Sequence, residues 1–257
     1  MLTRSDSFTS QTVDVPIAIV SDVHGNRHAF ESVLAEIDRS ACERIWCLGD
    51  LVGYGADPDA CVDLARGRTE LSLAGNHDLA VTGALPVEDF SAWAHAATSW
   101  TQATITPETL AFLQALSPSD HREAIGLFHA SPRDPVWEYV LSAQQAAECL
   151  DAQTDRVCLI GHSHVALSFS REPGGLTAGQ TRTDGAVLDL SSGEWLLNPG
   201  SVGQPRDGDP RAAWMELDLE SLSATYRRVD YDIEAAGAAI RAAGLPEGLA
   251  ERLRYGQ

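Results

Sequence analysis

Positive charge is scarce in this chain. Its 257 residues carry 18 Lys and Arg against 37 Asp and Glu, a formal net charge of −19. A surface this acidic repels nucleic acid and anionic membrane, so neither a nucleic acid duplex nor a bilayer is expected as a partner. An anionic substrate then needs a local source of positive charge, which bound metal ions supply. Long apolar runs are missing as well, and no stretch reaches the length needed to span a bilayer. Residues 1–14 lack the apolar centre of a signal peptide. They read as a flexible polar tail ahead of one domain over 15–257. The five cysteines, Cys42, Cys47, Cys61, Cys149 and Cys158, contain no C-x-x-C pair, and four of them sit among apolar residues. Buried thiols in a reducing cytoplasm fit that pattern. There is no solenoid-type repeat and no domain linker.

What is present is a recurring unit. Ile17 to Val20 is a short apolar run that predicts a buried strand. It leads into Asp22, Val23, His24, Gly25 and Asn26. Residues two apart on an extended chain point the same way, so Asp22 and His24 are expected to aim at one point from the strand's carboxyl end. A carboxylate and an imidazole so aimed make half of a metal site. A helix over 28–37 follows, with Phe30, Val33, Leu34 and Ile37 on one face. The unit returns where Arg44 to Leu48 meets Gly49 and Asp50, and where 70–74 meets Gly75, Asn76, His77 and Asp78. It returns again where 123–128 meets His129, and where 156–160 meets Gly161, His162, Ser163 and His164. Helices are predicted from Pro58 and over 142–150. Strand, polar tip and helix in succession predict functional groups at the carboxyl ends of strands in an α/β arrangement. Residues 79–116 read instead as a helical insertion, its second helix capped by Thr106 ahead of Pro107. Residues 171–185 read as a polar hairpin loop, 213–229 as a strand hairpin and 233–253 as terminal helices.

Of the eight histidines, five (His24, His77, His129, His162 and His164) fall at strand tips, beside Asp22, Asp50, Asn76 and Asp78. Imidazole, carboxylate and amide oxygen without cysteine suit manganese, iron or zinc. These donors outnumber what one ion needs. Two ions sharing a carboxylate are a common device for in-line phosphoryl displacement. Metal binding is expected to weaken in acid, because a protonated imidazole cannot ligate. Arg133, Arg206 and Arg211 lie near the tips; arginine's fork suits phosphate, and equally a structural ion pair. Trp93, Trp100 and Trp137 read as core residues before base-stacking ones. Tyr54, in the glycine-rich loop after Asp50, is expected to line the pocket. His28, His95 and His121 receive no role.

Asp22-x-His24, Gly49-Asp50, Gly75-Asn76-His77, His129 and Gly161-His162-x-His164 occur in that order. Together they resemble the motif set of the calcineurin-like metallophosphoesterases, from about Ile17 to the end of the chain. The resemblance implies an α+β fold, a four-layer α/β/β/α sandwich carrying the helical insertion. It implies two divalent cofactor ions, with Asp22, His24 and His164 on the first, Asn76, His129 and His162 on the second, and Asp50 bridging them. It further implies a metal-bridging hydroxide as nucleophile, and His77 as proton donor held in place by Asp78. Residues 198–211 and the C-terminal helix are similar to a bacterial and archaeal branch of phosphodiesterases and diadenosine tetraphosphatase-like proteins. One departure is Ala130 after His129, where many relatives have glycine. The activity expected is hydrolysis of a phosphodiester or small nucleotide in the cytoplasm, with Tyr54 and Arg206 against the substrate. Alternatives are a diadenosine polyphosphate hydrolase, a protein phosphatase or, in a different class, a non-catalytic metal-binding scaffold. A scaffold has no need of His77 and tolerates lost ligands, and here the whole set is present.

Overall fold

Alternation decides where the first strand goes. In β1 (Ile17–Val20), Ile17 and Ile19 face one apolar cluster while Ala18 and Val20 face another, so the strand is buried on both sides. The computed structural model describes residues 15–257, and the reading of 1–14 as a tail lies outside them. After β1 come α1 (Arg27–Ile37), β2 (Arg44–Cys47), α2 (Pro58–Arg68) and β3 (Leu71–Ser72). Three helices then precede the next strand: α3 (Asn76–Val81), α4 (Ala92–Thr104) and α5 (Pro107–Gln114). The chain continues through β4 (Ser119–Arg122), β5 (Ile125–Phe128), α6 (Ala143–Ala152) and β6 (Val157–Leu159). It then runs through β7 (Ala166–Arg171), β8 (Ala178–Thr181), β9 (Val187–Asp189) and β10 (Glu194–Pro199). Last come β11 (Ala212–Asp218), β12 (Ser223–Val229), α7 (Ile233–Ala242), α8 (Glu247–Glu251) and a 3-10 turn over Arg252–Arg254.

The strands make two six-stranded sheets, ordered β3-β2-β1-β11-β12-β9 and β4-β5-β6-β10-β7-β8. Each is mixed: β1 runs parallel to β2 and antiparallel to β11, and β10 runs parallel to β6 and antiparallel to β7. Their inner faces meet through Ile17, Ile19, Trp46, Leu127, Leu159, Leu197 and Met215. The outer face of the first sheet is covered by α1 and α2 through Phe30, Val33, Leu34, Cys61 and Val62. The outer face of the second is covered by α6 through Ala146, Cys149 and Leu150. The result is an α+β fold of four layers, helix, sheet, sheet and helix. All five cysteines are free and buried. Among the described residues no helix is long and apolar enough to cross a membrane.

Four strands depart from the sequence reading. β8 lies in the stretch 171–185 read as a loop, and β4, β7 and β9 have no counterpart in it. Every residue of β8 is exposed, and β4 is Ser-Asp-His-Arg. Edge strands of that composition carry no apolar alternation, so the pattern that marks a half-buried strand is missing. The α5 cap is as expected: Thr106 Oγ1 accepts from Thr109 N at 3.2 Å, with Pro107 in the first turn.

Candidate metal centre

The ligand-bearing tips come from both sheets and meet at one edge of the sandwich. Asp22 and His24 follow β1, Asp50 follows β2 and Asn76 opens α3 just after β3. His129 follows β5, and His162 and His164 follow β6. Asp22 and His24 do not converge by strand alternation. The extended backbone ends at Val20, and six non-glycine site residues take left-handed backbone: Asp22 (φ 54°), His24 (51°), Asp50 (54°), Tyr54 (58°), His162 (62°) and His164 (60°). Each such residue stores roughly 1–3 kcal/mol unless its surroundings fix it. Here they do. The bent tips of β1 and β2 stay paired, with Asp22 N to Gly49 O at 3.0 Å and His24 N to Asp50 O at 2.9 Å.

The stretch 198–204 straps the same tips from the other side. Ser201 Oγ donates to Asp22 O at 2.8 Å, and Gly203 N donates to Asp22 O at 2.9 Å. Asn198 Nδ2 donates to Gly161 O at 2.6 Å. Gly75 is glycine because of a close approach: a Cβ there would lie 1.9 Å from Asp50 Oδ1.

Two clusters of donor atoms result, Asp22, His24, Asp50 and His164 in one and Asp50, His129 and His162 in the other, all buried. Asp50 Oδ2 lies 3.5 Å from His24 Nε2 and 3.5 Å from His129 Nε2, so one oxygen is shared between them. Asp50 Oδ1 is held by His77 N at 2.9 Å, and Asp22 Oδ2 by His162 N at 3.1 Å. Each carboxylate therefore turns one free oxygen inward.

The imidazoles are fixed in the same sense. His24 Nδ1 donates to Val52 O (3.1 Å), His129 Nδ1 to Leu48 O (2.9 Å) and His164 Nδ1 to Gln204 O (2.6 Å). A carbonyl can only accept, so in each neutral ring Nε2 carries a bare lone pair. Yet His24 Nε2 and His164 Nε2 stand 3.0 Å apart, and His129 Nε2 stands 3.3 Å from Asn76 Oδ1. Lone pairs facing at such distances repel unless a cation lies between them. Asp22 Oδ1, Asp50 Oδ2 and His162 Nε2 are also buried without a hydrogen-bond partner. On both counts the donor set fits metal ions.

Protonation follows burial. Burial pushes the Asp22 carboxyl up to about 7, and holds Asp50 well above the carboxylate range with Asp78 adding to the effect. Burial likewise drives His24, His77, His162 and His164 well below the usual imidazole value. Those four imidazoles are thus ready to ligate, and Asp22 and Asp50 are the groups that must shed protons.

His77 sits beside the clusters, its ring 4.9 Å from that of His24, 4.4 Å from Tyr54 and 4.9 Å from Phe90. Its Nδ1 has no partner. The expectation that Asp78 holds this ring is not met. Asp78 Oδ2 accepts from Gly75 N (2.9 Å) and Leu51 N (3.3 Å), and Oδ1 from Val52 N (3.1 Å). Three backbone donors hold the carboxylate, so Asp78 ties the Asp50 loop to the start of α3 and makes no hydrogen bond to the His77 ring in this structure.

A cavity of about 250 Å³ opens over Asp50, Asn76, His77 and His162. Tyr54 and Arg206 line it, and Arg206 Nη2 reaches Gln204 Oε1 at 2.8 Å and Tyr54 OH at 3.4 Å. Trp137 also reaches it, packed edge-on against Phe90, and Tyr139 stacks on His162 at 4.1 Å. Phe90 falls in the stretch 79–116 read as a helical insertion, and Tyr139 is not singled out by the sequence; both stand on irregular backbone, whose spacing carries no signal. Arg133 and Arg211 lie elsewhere, paired with Glu148 and Asp209. Trp93 is half exposed over Gly248, and Trp100 packs among the residues of α7 and α8.

Residues 15–220 match the calcineurin-like phosphoesterase superfamily domain. An uncharacterised protein of Methanocaldococcus jannaschii is 37% identical over 246 residues, covering 94% of this chain and 98% of its own. The crystal structure of a metallophosphoesterase from Sphaerobacter thermophilus superposes with a TM-score of 0.86 at 40% identity, over 95% of this chain and 99% of that one. A hypothetical protein of Pyrococcus horikoshii shares the fold, with a TM-score of 0.75 at 17% identity over 94% and 98% of the two chains.

Proposed function

From the membership of this chain in the calcineurin-like phosphoesterase superfamily, a family of phosphoester hydrolases, we propose that it hydrolyses small phosphodiesters or nucleotide esters with two divalent cations. Asp22, His24 and His164 would hold one ion and Asn76, His129 and His162 the other, with Asp50 shared. The observation that carries this reading is the single buried oxygen, Asp50 Oδ2, equidistant at 3.5 Å from an imidazole of each cluster. When bound, manganese, iron or zinc ions supply Lewis acidity toward phosphoryl oxygens and a water acidic enough to attack at neutral pH.

The chain's own residues do the rest. The Nδ1–H bonds of His24, His129 and His164 to backbone carbonyls fix which nitrogen faces the centre. Arg206 offers a guanidinium fork to a phosphoryl oxygen at the cavity wall. His77, which lines the cavity beside His24, is assigned the role of donating a proton to the leaving oxygen. Burial first, and the Arg206 charge second, hold that imidazole well below its usual value and so neutral. The negative phosphoryl group is what raises its proton affinity, so protonation waits on substrate. Phe90 and Trp137 give an aromatic leaving group a surface to pack on.

The test is a substrate panel on chelator-stripped protein before and after manganese is added. Bis-p-nitrophenyl phosphate and small nucleotides, diadenosine polyphosphates among them, should turn over only after addition. A panel in which phosphoproteins alone react would move the substrate class to proteins.

A further inference from the structure

The strap over 198–204 ends in a side chain that no step above uses. Gln204 is 2% exposed, and its backbone is engaged on both sides. Its N–H donates to Ser201 Oγ at 2.8 Å, and its carbonyl accepts from His164 Nδ1 at 2.6 Å. Two residues on, Arg206 N donates to His164 O at 3.1 Å, and the two side chains meet: Arg206 Nη2 donates to Gln204 Oε1 at 2.8 Å. A guanidinium has no acceptor, so the carboxamide atom facing it is the oxygen. The same guanidinium lies over the Tyr54 ring, 5.7 Å from its centroid, with Nη2 at 3.4 Å from the Tyr54 hydroxyl.

Among the described residues Arg206 is the one arginine or lysine that lines the cavity over the metal centre. Its hydrogen-bond partners are nonetheless neutral, in a chain where Arg44, Arg171 and Arg211 each pair with a carboxylate. The adjacent carboxylate, Asp207, is taken by Arg228 and by Ala166 N at 3.1 Å. A glutamate at position 204 would reach as far and would cancel the guanidinium charge where it stands. A carboxamide holds the fork in place and leaves that charge uncancelled. We propose that Gln204 is a positioning residue, whose buried carboxamide fixes Arg206 at the cavity wall through a neutral acceptor and so reserves the guanidinium charge for the phosphoryl group. The proposal rests on the phosphoesterase reading above and deepens it: Arg206 would touch the substrate, and Gln204 would act only through Arg206. Because the Gln204 carbonyl, not its side chain, orients His164, a side-chain substitution leaves that contact in place.

The probe is diphenyl phosphate. Its binding to the metal-loaded full chain is measured by calorimetry, and metal content by elemental analysis. Gln204→Met keeps the volume and removes the acceptor. It should weaken the probe about tenfold, the scale of one charge-assisted hydrogen bond, and leave metal content unchanged. In an Arg206→Gln background the same change should cost less than about twofold, because nothing is left to position. Losses that multiply across the two positions overturn the proposal. So does a loss of metal content, which would assign the Gln204 side chain to the support of His164. Gln204→Glu keeps the shape should methionine pack badly. It should weaken the probe at least as much, and wild-type affinity there overturns the need for a neutral partner. Turnover of bis-p-nitrophenyl phosphate gives a second readout: the loss in Gln204→Met should fall on KM, with kcat within about twofold. A loss carried by kcat overturns the positioning role. A wild type that binds the probe but cleaves no phosphoester sinks the broader reading and leaves the binding comparison to decide Gln204, while one that binds no probe overturns both.

Discussion

Replacing Asp50 by asparagine removes one charge and keeps the shape, which separates two effects. The carboxylate is costly to bury, so metal-free Asp50→Asn should unfold at a higher temperature than metal-free wild type. The same change should weaken metal binding by on the order of 10³-fold, since a unit charge a few Å from an ion is worth about 4 kcal/mol in such surroundings. Elemental analysis reads the second effect, and wild-type metal content would mean the shared oxygen is misassigned. For His77→Ala, metal content should stay nearly unchanged while turnover falls by roughly 10²- to 10⁴-fold. The loss should be larger for an alkoxide leaving group than for p-nitrophenolate, which departs without a proton; equal losses would confine His77 to charge stabilisation. Acid sensitivity should follow the two buried carboxyls, Asp50 and Asp22, and Asp22 sets a pH window. Its carboxyl is raised from 3.8 to about 7, so the metal-free fold holds a proton there that the unfolded chain releases. Stability of the metal-free protein therefore falls as pH rises from about 4 through about 7, and metal affinity falls as pH drops below about 7. Calorimetry in buffers of different ionisation enthalpy would count the protons released on binding. The donor types were legible in the sequence, because few side chains can ligate these ions. The proton competition was not: the sequence pointed to imidazole, and burial, which a sequence does not display, transfers it to a carboxylate. The role of Asp78 was hidden for a related reason, since its partners are backbone amides brought in by folding.

At the level of elements, the site depends on how tightly one tip can lie against another. Gly75 has no room for a methyl group, and Gly75→Ala should destabilise the fold by about 1–3 kcal/mol and impair metal uptake. Gly67, inside α2, has open space around it, and Gly67→Ala should stabilise by about 0.5–1 kcal/mol. Thermal melts of the pair check both signs. The buried strands β1, β2, β5 and β6 could be read from the chain, because each is a short apolar run closed by glycine or a polar residue, too brief for a helix. The short α3 and the exposed β4 and β8 could not, since their existence depends on neighbours. The loop between β5 and α6 is the functional part that local pattern conceals. Asp134 Oδ1 accepts from the amides of Val136 and Trp137, and Ser131 Oγ donates to Glu138 at 2.5 Å. Those bonds hold Trp137 and Tyr139 at the cavity, and nothing in their spacing announces it.

Across the whole molecule, the acidic composition gives most of the described arginines a carboxylate partner, Arg44, Arg171, Arg211 and Arg228 among them. The long-range pairings set the two sheets face to face: β1 beside β11, and β6 beside β10, are joined only after most of the chain is in place. The ligands then divide by sheet. Asp22, His24, Asp50 and Asn76 extend from the first, and His129, His162 and His164 from the second. Each proposed ion would take donors from both, so the pair would act as a clasp along one edge of two leaves whose inner faces meet largely through side-chain packing, with Tyr226 OH donating to Leu167 O at 2.8 Å between them. Metal at a hundredfold excess over its dissociation constant adds about 2.7 kcal/mol, or roughly 5–10 °C in a chain of this size. The gain should be shared by both leaves. Amide hydrogen exchange should slow together at Val20 and Cys47 on one sheet and at Phe128 and Leu159 on the other, merging two units of local opening into one. Slowing confined to a single sheet would mean that the clasp does not close.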